Sequence, residues 1–210
     1  FFMYISWIIP AYKEEKRIEK TIREVDSYLG QKQFQGGYEI LVLDSSSPDN
    51  TAHIVERLRN EISHLFLHTV ENKGKGWAVK AGMLRAQGDI RLFSDADNST
   101  EPHYFDAMIP FFKKGYECVI SSRHSRDVAG AYQAVPESFL RRIAGKGGNF
   151  IIRFLAVPGI WDTQNGFKAF TASSANEIFA RLTLNGWAGD VEVLVLARLY
   201  NFRVGSIPVR

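Results

Sequence analysis

The 210-residue chain has one cysteine, Cys118, so it contains no disulfide framework, and a reducing compartment is the expectation. Its neighbours Val119 and Ile120 give that thiol a core position. Long apolar runs are also missing. The opening FFMYISWII is nine residues long, against the roughly 20 that a spanning helix needs. It has no basic leader or cleavage site of a signal peptide, and reads as a first strand. No Pro/Gly/Ser-rich linker, internal repeat or low-complexity stretch divides the chain, so one domain is expected over 1–210. The strand-like FRVGSIPVR at the end leaves room for a further C-terminal segment. An excess of one charge is absent too. With 26 basic and 23 acidic residues the net charge is +3. That gives no nucleic-acid footprint and suits anionic small molecules or a membrane surface.

What the chain does have is alternation. YISWII (4–9) reads as a strand ended by Pro10, and Ile18, Ile22, Val25 and Leu29 follow at helical spacing, with Gly30 near the stop. YEILVLD (38–44) is a continuous apolar strand of the kind buried on both faces of a parallel sheet. The cap-rich SSSPDNT precedes a second helix, LFLHTV (65–70) is a third strand, and NKGKG opens a third helix closed by Gly88. IRLFSDAD is the fourth strand. Pro102 opens the next helix, Gly115 closes it, and ECVISS (117–122) is the fifth strand. Strands alternating with helices at this pitch predict an α/β fold with a largely parallel sheet. From Arg123 the rhythm changes: a polar stretch, a helix carrying Arg141, Arg142 and Lys146, the stretch WDTQNGFKAF, two more helical segments and a final strand.

Ligands of open α/β sheets bind outside the carboxyl ends of the strands. Asp44, Asp95, Asp97 and the loops 10–15 and 71–77 all fall at such ends. Asp95 and Asp97 stand one residue apart after an apolar strand. On a strand such residues face the same way, and two hard carboxylates there suit Mg²⁺ or Mn²⁺ with substrate phosphates completing the shell. Capping of the helix at Pro102 is the plain alternative, although Ser99 and Thr100 are better placed for it. An EF-hand is disfavoured because Thr100 replaces the required glycine and no glutamate closes the loop. An aspartyl phosphotransferase carries its D-x-D-x-T after the first strand, not the fourth. Asn98-Ser99-Thr100 is formally a glycosylation sequon, read here as chance. Asp44 either accepts from a nucleobase or ribose or caps the helix after it. Tyr12 can stack on a base and Glu14 can accept from one. NKGKG offers amides and lysines to a phosphate, without the spacing of a P-loop. Arg123, Arg141, Arg142, Lys146 and Lys168 offer further positive charge. Asp190 and Glu192 fall at a predicted helix start, where the dipole alone favours acids.

Together, IIPAYKEE, LDSSSPDNT, NKGKGWAVKAG, GDIRLFSDAD, SSR and DTQNGFKAF, in this order, resemble glycosyltransferase family 2. Within it, DTQNGFKAF and GDVEVLVLA are most similar to the dolichyl-phosphate glucosyltransferases, with mannosyl relatives second. One departure is Ser45, where the family often has a second acid. The resemblance implies a GT-A fold, Rossmann-like and mostly parallel with helices on both faces. It implies a nucleotide-binding half over about 1–122 and an acceptor half over about 123–210. Pro10, Tyr12, Glu14 and Asp44 would cradle the nucleoside, with Lys75 or Gly76 near base or ribose. Asp95, Asp97 and Ser99 would hold Mg²⁺ or Mn²⁺. Arg123, Arg141 and Lys146 would surround the phosphates, and Gln164 and Lys168 would line the acceptor side. Asp97, Asp190 and Arg123 would carry the catalytic roles, Asp190 as base for a hydroxyl acceptor or as a positioning group for a phosphate.

The implied reaction is inverting transfer of a hexose to dolichyl or polyprenyl phosphate, from UDP-glucose first and GDP-mannose second. It would occur at the cytosolic face of a membrane, with 150–161 and Phe1–Trp7 as apolar stretches beside the lipid. Alternatives are a glycan-hydroxyl acceptor, a phosphohydrolase with Asp95 as nucleophile, and a silent nucleotide-sugar binding module.

Overall fold

A computed structural model describes residues 3–32, 34–131, 160–186 and 188–209. Among them, seven strands form one sheet: β1 (Ile5–Ala11), β2 (Tyr38–Asp44), β3 (Leu65–Thr69), β4 (Ile90–Phe93), β5 (Cys118–Ser122), β6 (Lys168–Thr171) and β7 (Val204–Pro208). Their order is β3-β2-β1-β4-β6-β5-β7. Only β6 runs against the others, antiparallel to both β4 and β5. The α/β expectation and the mostly parallel sheet therefore hold. The helices are α1 (Ile18–Lys32), α2 (Thr51–Leu58), α3 (Lys75–Arg85), α4 (Phe105–Lys113, after a 3₁₀ turn at Pro102–Tyr104), α5 (Ala172–Arg181) and α6 (Gly189–Leu199).

Strand alternation sends side chains to both faces. Ile5, Trp7 and Ile9 pack with Ile18, Ile22, Val25 and Leu29 of α1, Val55 of α2 and Phe105 of α4. Ile8, Leu41, Leu43 and Phe93 pack with Ala78 and Val79 of α3, Ile178 of α5 and Val193 of α6. Helices thus cover both faces, which is why β2 reads as an unbroken apolar run. Cys118 lies in the second layer, and burial pushes its thiol pKa up to about 12.

Two local readings need correction. Pro10 lies inside β1, opposite Leu43 of β2. β4 accompanies β1 only as far as Ile8, so a residue without an N–H is tolerated beyond that point. Gly30 lies in the last turn of α1, near its stop as expected. Met3, Ile5 and Trp7 are core residues and offer nothing to a lipid surface. Gly115 does end α4, at φ 78°, where a left-handed residue is needed. Among the described residues no helix is long and apolar enough to cross a membrane.

Candidate active site

The parallel strands end together on one rim, and β6 starts there, with Lys168 opposite Phe93 in register. A cleft of ≈ 440 Å³ opens on this rim, with Pro10, Tyr12, Glu14, Arg17, Lys75, Asp95 and Asp97 among its lining residues. The loops that form it are tied to one another. Lys13 N donates to Ser47 Oγ (3.0 Å), Glu14 N to Thr51 Oγ1 (2.8 Å), and Glu15 N to Asp49 Oδ2 (3.3 Å). Lys13, Ser46 and Asn98 have φ of 58°, 52° and 49°. Three strained residues, one after each of β1, β2 and β4, mark a rim held in shape for something other than stability.

Asp44 ends β2 fully buried. Its Oδ2 accepts from Ser47 N at 3.1 Å, while Oδ1 is buried without a hydrogen-bond partner. A buried carboxylate oxygen without a donor is costly, and a ligand N–H would relieve it. Tyr12 is 43% exposed at the mouth. Burial lifts the Glu14 pKa above the ordinary glutamate value against the pull of Arg17, whose guanidinium pairs with it at 2.7 Å. Arg17 also reaches Asp97 at 3.9 Å, and the sequence reading passed over it.

The strand argument for Asp95 and Asp97 does not survive, because β4 ends at Phe93. Ser94 is fixed by Trp7 Nε1 (2.8 Å), and Ala96 O accepts from Thr21 Oγ1 on α1 (2.6 Å). Asn98 N turns back to Asp95 O. In this turn the carboxylates part. Asp95 Oδ1 meets Lys75 Nζ at 2.7 Å on the α3 side, while Asp97 Oδ1 accepts the Ser99 amide at 3.0 Å on the α1 side. Gly166, from DTQNGFKAF, lies directly against Asp95: a Cβ there would fall 2.0 Å from Oδ2.

Lys168 is wholly buried. Its Nζ meets Asp190 Oδ1 at 2.7 Å and Asn165 O at 2.6 Å. The other Asp190 oxygen lies 3.6 Å from Lys75 Nζ. Asp95, Lys75, Asp190 and Lys168 are therefore a continuous row of alternating charge. Burial works against the Lys75 ammonium, but the Asp190 and Asp95 carboxylates outweigh it and hold its pKa above the ordinary lysine value. Gly76 does not line the cleft. It faces the loop after α5, where a Cβ would meet Leu184 O at 2.7 Å. Glu192 braces the same loop by accepting from Thr183 N (3.0 Å) and Leu184 N (2.7 Å).

On the far side, Arg123 follows β5 and binds Asp162 in a fork, Nε at 2.9 Å and Nη2 at 3.0 Å. Burial raises the Asp162 carboxyl, yet the Arg123 bonds win and hold its pKa below the ordinary aspartate value. Gln164 is exposed beside this fork in sequence, and Ser99 is exposed on the Asp97 turn. Arg141, Arg142, Lys146 and most of 150–161 lie outside the described residues.

The two aspartates offer hard oxygens at the cleft floor. Among the described residues no group of three His, Cys, Asp or Glu side chains converges. Asp95 and Asp97 both line the cleft, so each could supply one carboxylate to a divalent ion completed by phosphate and water, although the two carboxylates part in this turn.

A mostly parallel sheet with helices on both faces, and a rim of acids and amide-rich loops, defines the class of α/β nucleotide-binding folds. Residues 6–179 match Glycosyl transferase family 2, and the chain belongs to that family. It is 36% identical over 99% of its length to a dolichyl-phosphate beta-glucosyltransferase of Trichomonas vaginalis, covering 65% of that protein. It is 30% identical over 98% of its length to the enzyme of that name from Homo sapiens, covering 66% of it. The chain thus spans just under two-thirds of these relatives' length. Among solved structures it resembles mannosyl-3-phosphoglycerate synthase from Rubrobacter xylanophilus, at TM-score 0.71 and 18% identity over 99% of this chain and 66% of that one. It also resembles glucosyl-3-phosphoglycerate synthase from Mycobacterium tuberculosis in complex with Mn²⁺, UDP-glucose and phosphoglyceric acid, at TM-score 0.68 and 18% identity over 98% and 69% of the two chains. The fold is GT-A.

Proposed function

We propose that this chain is the catalytic domain of a transferase that moves glucose from UDP-glucose to dolichyl or a related polyprenyl phosphate, with inversion at the sugar carbon. The observation that carries the reading is the rim itself. Tyr12, Glu14 and the Asp95–Asp97 turn line a single cleft in a family 2 chain, and Asp44, with one unpartnered buried oxygen, lies behind the cleft residue Ser45. The names of the relatives support glucose and dolichyl phosphate, and the UDP-glucose complex of a structural neighbour supports the donor. GDP-mannose is the second candidate donor.

Pro10, Tyr12, Glu14 and Asp44 would take the nucleoside, Tyr12 by stacking and Asp44 by accepting an N–H. Arg17 and Lys75 extend this set toward the diphosphate. Asp95 and Asp97, with Ser99 beside them, would hold Mg²⁺ or Mn²⁺, which supplies Lewis-acid stabilisation of the departing nucleotide. Arg123, with Arg141 and Lys146 from the sequence, would neutralise phosphate, and Gln164 would face the acceptor.

A phosphate acceptor is already ionised at neutral pH and needs no base. Asp190, facing two ammonium groups, suits the counterion role better than that of a base, which favours phosphate over a glycan hydroxyl. Asp95, covered by Lys75 on one oxygen and by Gly166 near the other, is a poor nucleophile for a phosphohydrolase. Lys168, wholly buried, would act on the acceptor side through Asp190 and not by contact. A lipid acceptor brings the domain to a membrane surface, on the cytosolic face.

The test is incubation with UDP-glucose and dolichyl phosphate in detergent. Release of UDP that depends on the lipid, with a glucosylated lipid in the organic phase, is expected. UDP release without lipid, or no lipid-dependent release of UDP from UDP-glucose or of GDP from GDP-mannose, would overturn the reading. A silent binding module gives the second outcome.

A further inference from the structure

The row Asp95–Lys75–Asp190–Lys168 is asymmetric. Lys168 is wholly buried and shares Asp190 with a backbone carbonyl, so it has nowhere else to go. Lys75 differs. It lies at the first turn of α3 and lines the cleft, with its ammonium 2.7 Å from Asp95 and 3.6 Å from Asp190. It therefore has a second carboxylate in place if the first is taken from it. Asp95 has little freedom to avoid Lys75: Gly166 closes one side, and the turn is pinned through Ser94 and Ala96.

We infer that Lys75 is a counter-cation latch on Asp95: it occupies the carboxylate in the donor-free protein and shifts toward Asp190 when donor diphosphate and divalent ion arrive. The inference rests on the proposed function, because it needs the Asp95–Asp97 turn to receive the ion. It goes further in assigning an order. The ion alone competes with an ammonium already seated on its ligand, and Asp95 retains that ammonium until the diphosphate supplies compensating negative charge. Lys75 then stands between diphosphate and Asp190, so the row keeps its alternation of sign. Lys75 is on this account a positioning residue for the ion and a direct partner of the donor phosphate.

The experiment is Mn²⁺ binding to the full chain, read by electron paramagnetic resonance, with calorimetry of UDP run alongside. Wild type is expected to bind Mn²⁺ weakly alone and more tightly with UDP. Lys75→Gln should bind Mn²⁺ alone about tenfold more tightly than wild type, the scale of one partly buried ion pair, and should show a correspondingly smaller gain from UDP, the part due to direct phosphate ligation remaining. Lys75→Arg keeps the charge and should bind Mn²⁺ alone as weakly as wild type. Lys73→Gln removes an equal charge from the same loop, where Lys73 pairs with Glu71 at 2.7 Å, and should leave Mn²⁺ binding unchanged. Thermal melts show whether each variant is folded. Should Lys75→Gln fail to fold, Lys75→Met carries the same comparison of Mn²⁺ alone, and it must bind the ion more tightly than wild type and Lys75→Arg. If Lys75→Gln binds Mn²⁺ no better than wild type, or Lys73→Gln improves it as much, the latch is wrong while UDP binding stands. If UDP gives no heat with wild type, the donor reading itself fails and the latch with it.

Discussion

On the β1–β2 flank of the cleft, Asp44 and Asp49 meet amides and hydroxyls. On the β4–β6 flank, Asp95 and Asp190 meet ammonium groups. Asp44 and Asp49 accept from Ser47, Glu15 and Thr51. Asp95 and Asp190 are instead neutralised by Lys75 and Lys168. The first arrangement fixes loop shape and leaves Asp44 Oδ1 for a ligand. The second keeps charge balanced where water is scarce, and any change to one member exposes another. On the proposed function, recognition of a neutral base would fall on the first flank and handling of phosphate charge on the second.

The harshest way to test this contrast is to unbalance the buried row. Asp190→Ala leaves the Lys168 charge buried without its carboxylate and should cost about 3–5 kcal/mol in urea unfolding. Asp190→Leu combined with Lys168→Met should recover at least half of that loss; no recovery would mean that the charges are not what the site depends on. Next comes Gly166→Ala, whose Cβ falls 2.0 Å from Asp95 Oδ2. It should push Asp95 off its position and weaken Mn²⁺-dependent UDP binding about tenfold to a hundredfold, while strain costs about 1–3 kcal/mol. Calorimetry giving wild-type affinity would show that Asp95 is not needed where it stands.

A milder effect is expected on the other flank. Asp44→Asn still accepts from Ser47 but offers a base N–H a weaker, uncharged partner. UDP affinity should fall about tenfold, as for loss of one charge-assisted bond, with folding stability unchanged or higher. A stability loss as large as that of Asp190→Ala would erase the distinction between the flanks. The smallest effect is in acid. The Arg123 fork holds Asp162 below its unfolded pKa of about 3.9, so its stabilisation is present above that pH and is lost as pH falls through the lower folded value. Asp162→Asn should therefore be less stable than wild type at neutral pH, and the difference should shrink as the solution is acidified toward that lower value.

How much of this was legible in the sequence follows the same division. The rim loops after β1, β2 and β4 were readable because caps and strand ends are local patterns: Asp44 and Ser47 stand three residues apart. The parallel sheet was readable from unbroken apolar strands. β6 was not: KAFT is four residues long and runs antiparallel between β4 and β5, and no local period announces that. The partnership of Lys168 with Asp190, 22 residues apart, was equally hidden, so Lys168 read as an acceptor-lining residue when it is a core counterion. Arg17 looked like one more charge in KEEKR, and its approach to Asp97 is a property of the packed loops. Gly166 was quoted inside a motif, but only the fold shows that Asp95 leaves no room for a side chain there.

The central claim is that this cleft receives a nucleotide diphosphate sugar. The most direct measurement is a crystal structure with UDP-glucose and Mn²⁺. The account predicts the uracil beside Tyr12 with an N–H on Asp44 Oδ1, and the diphosphate over Asp95 and Asp97. An empty cleft, or nucleotide lodged in the neighbouring groove lined by Lys20, Glu24 and His103, would contradict it.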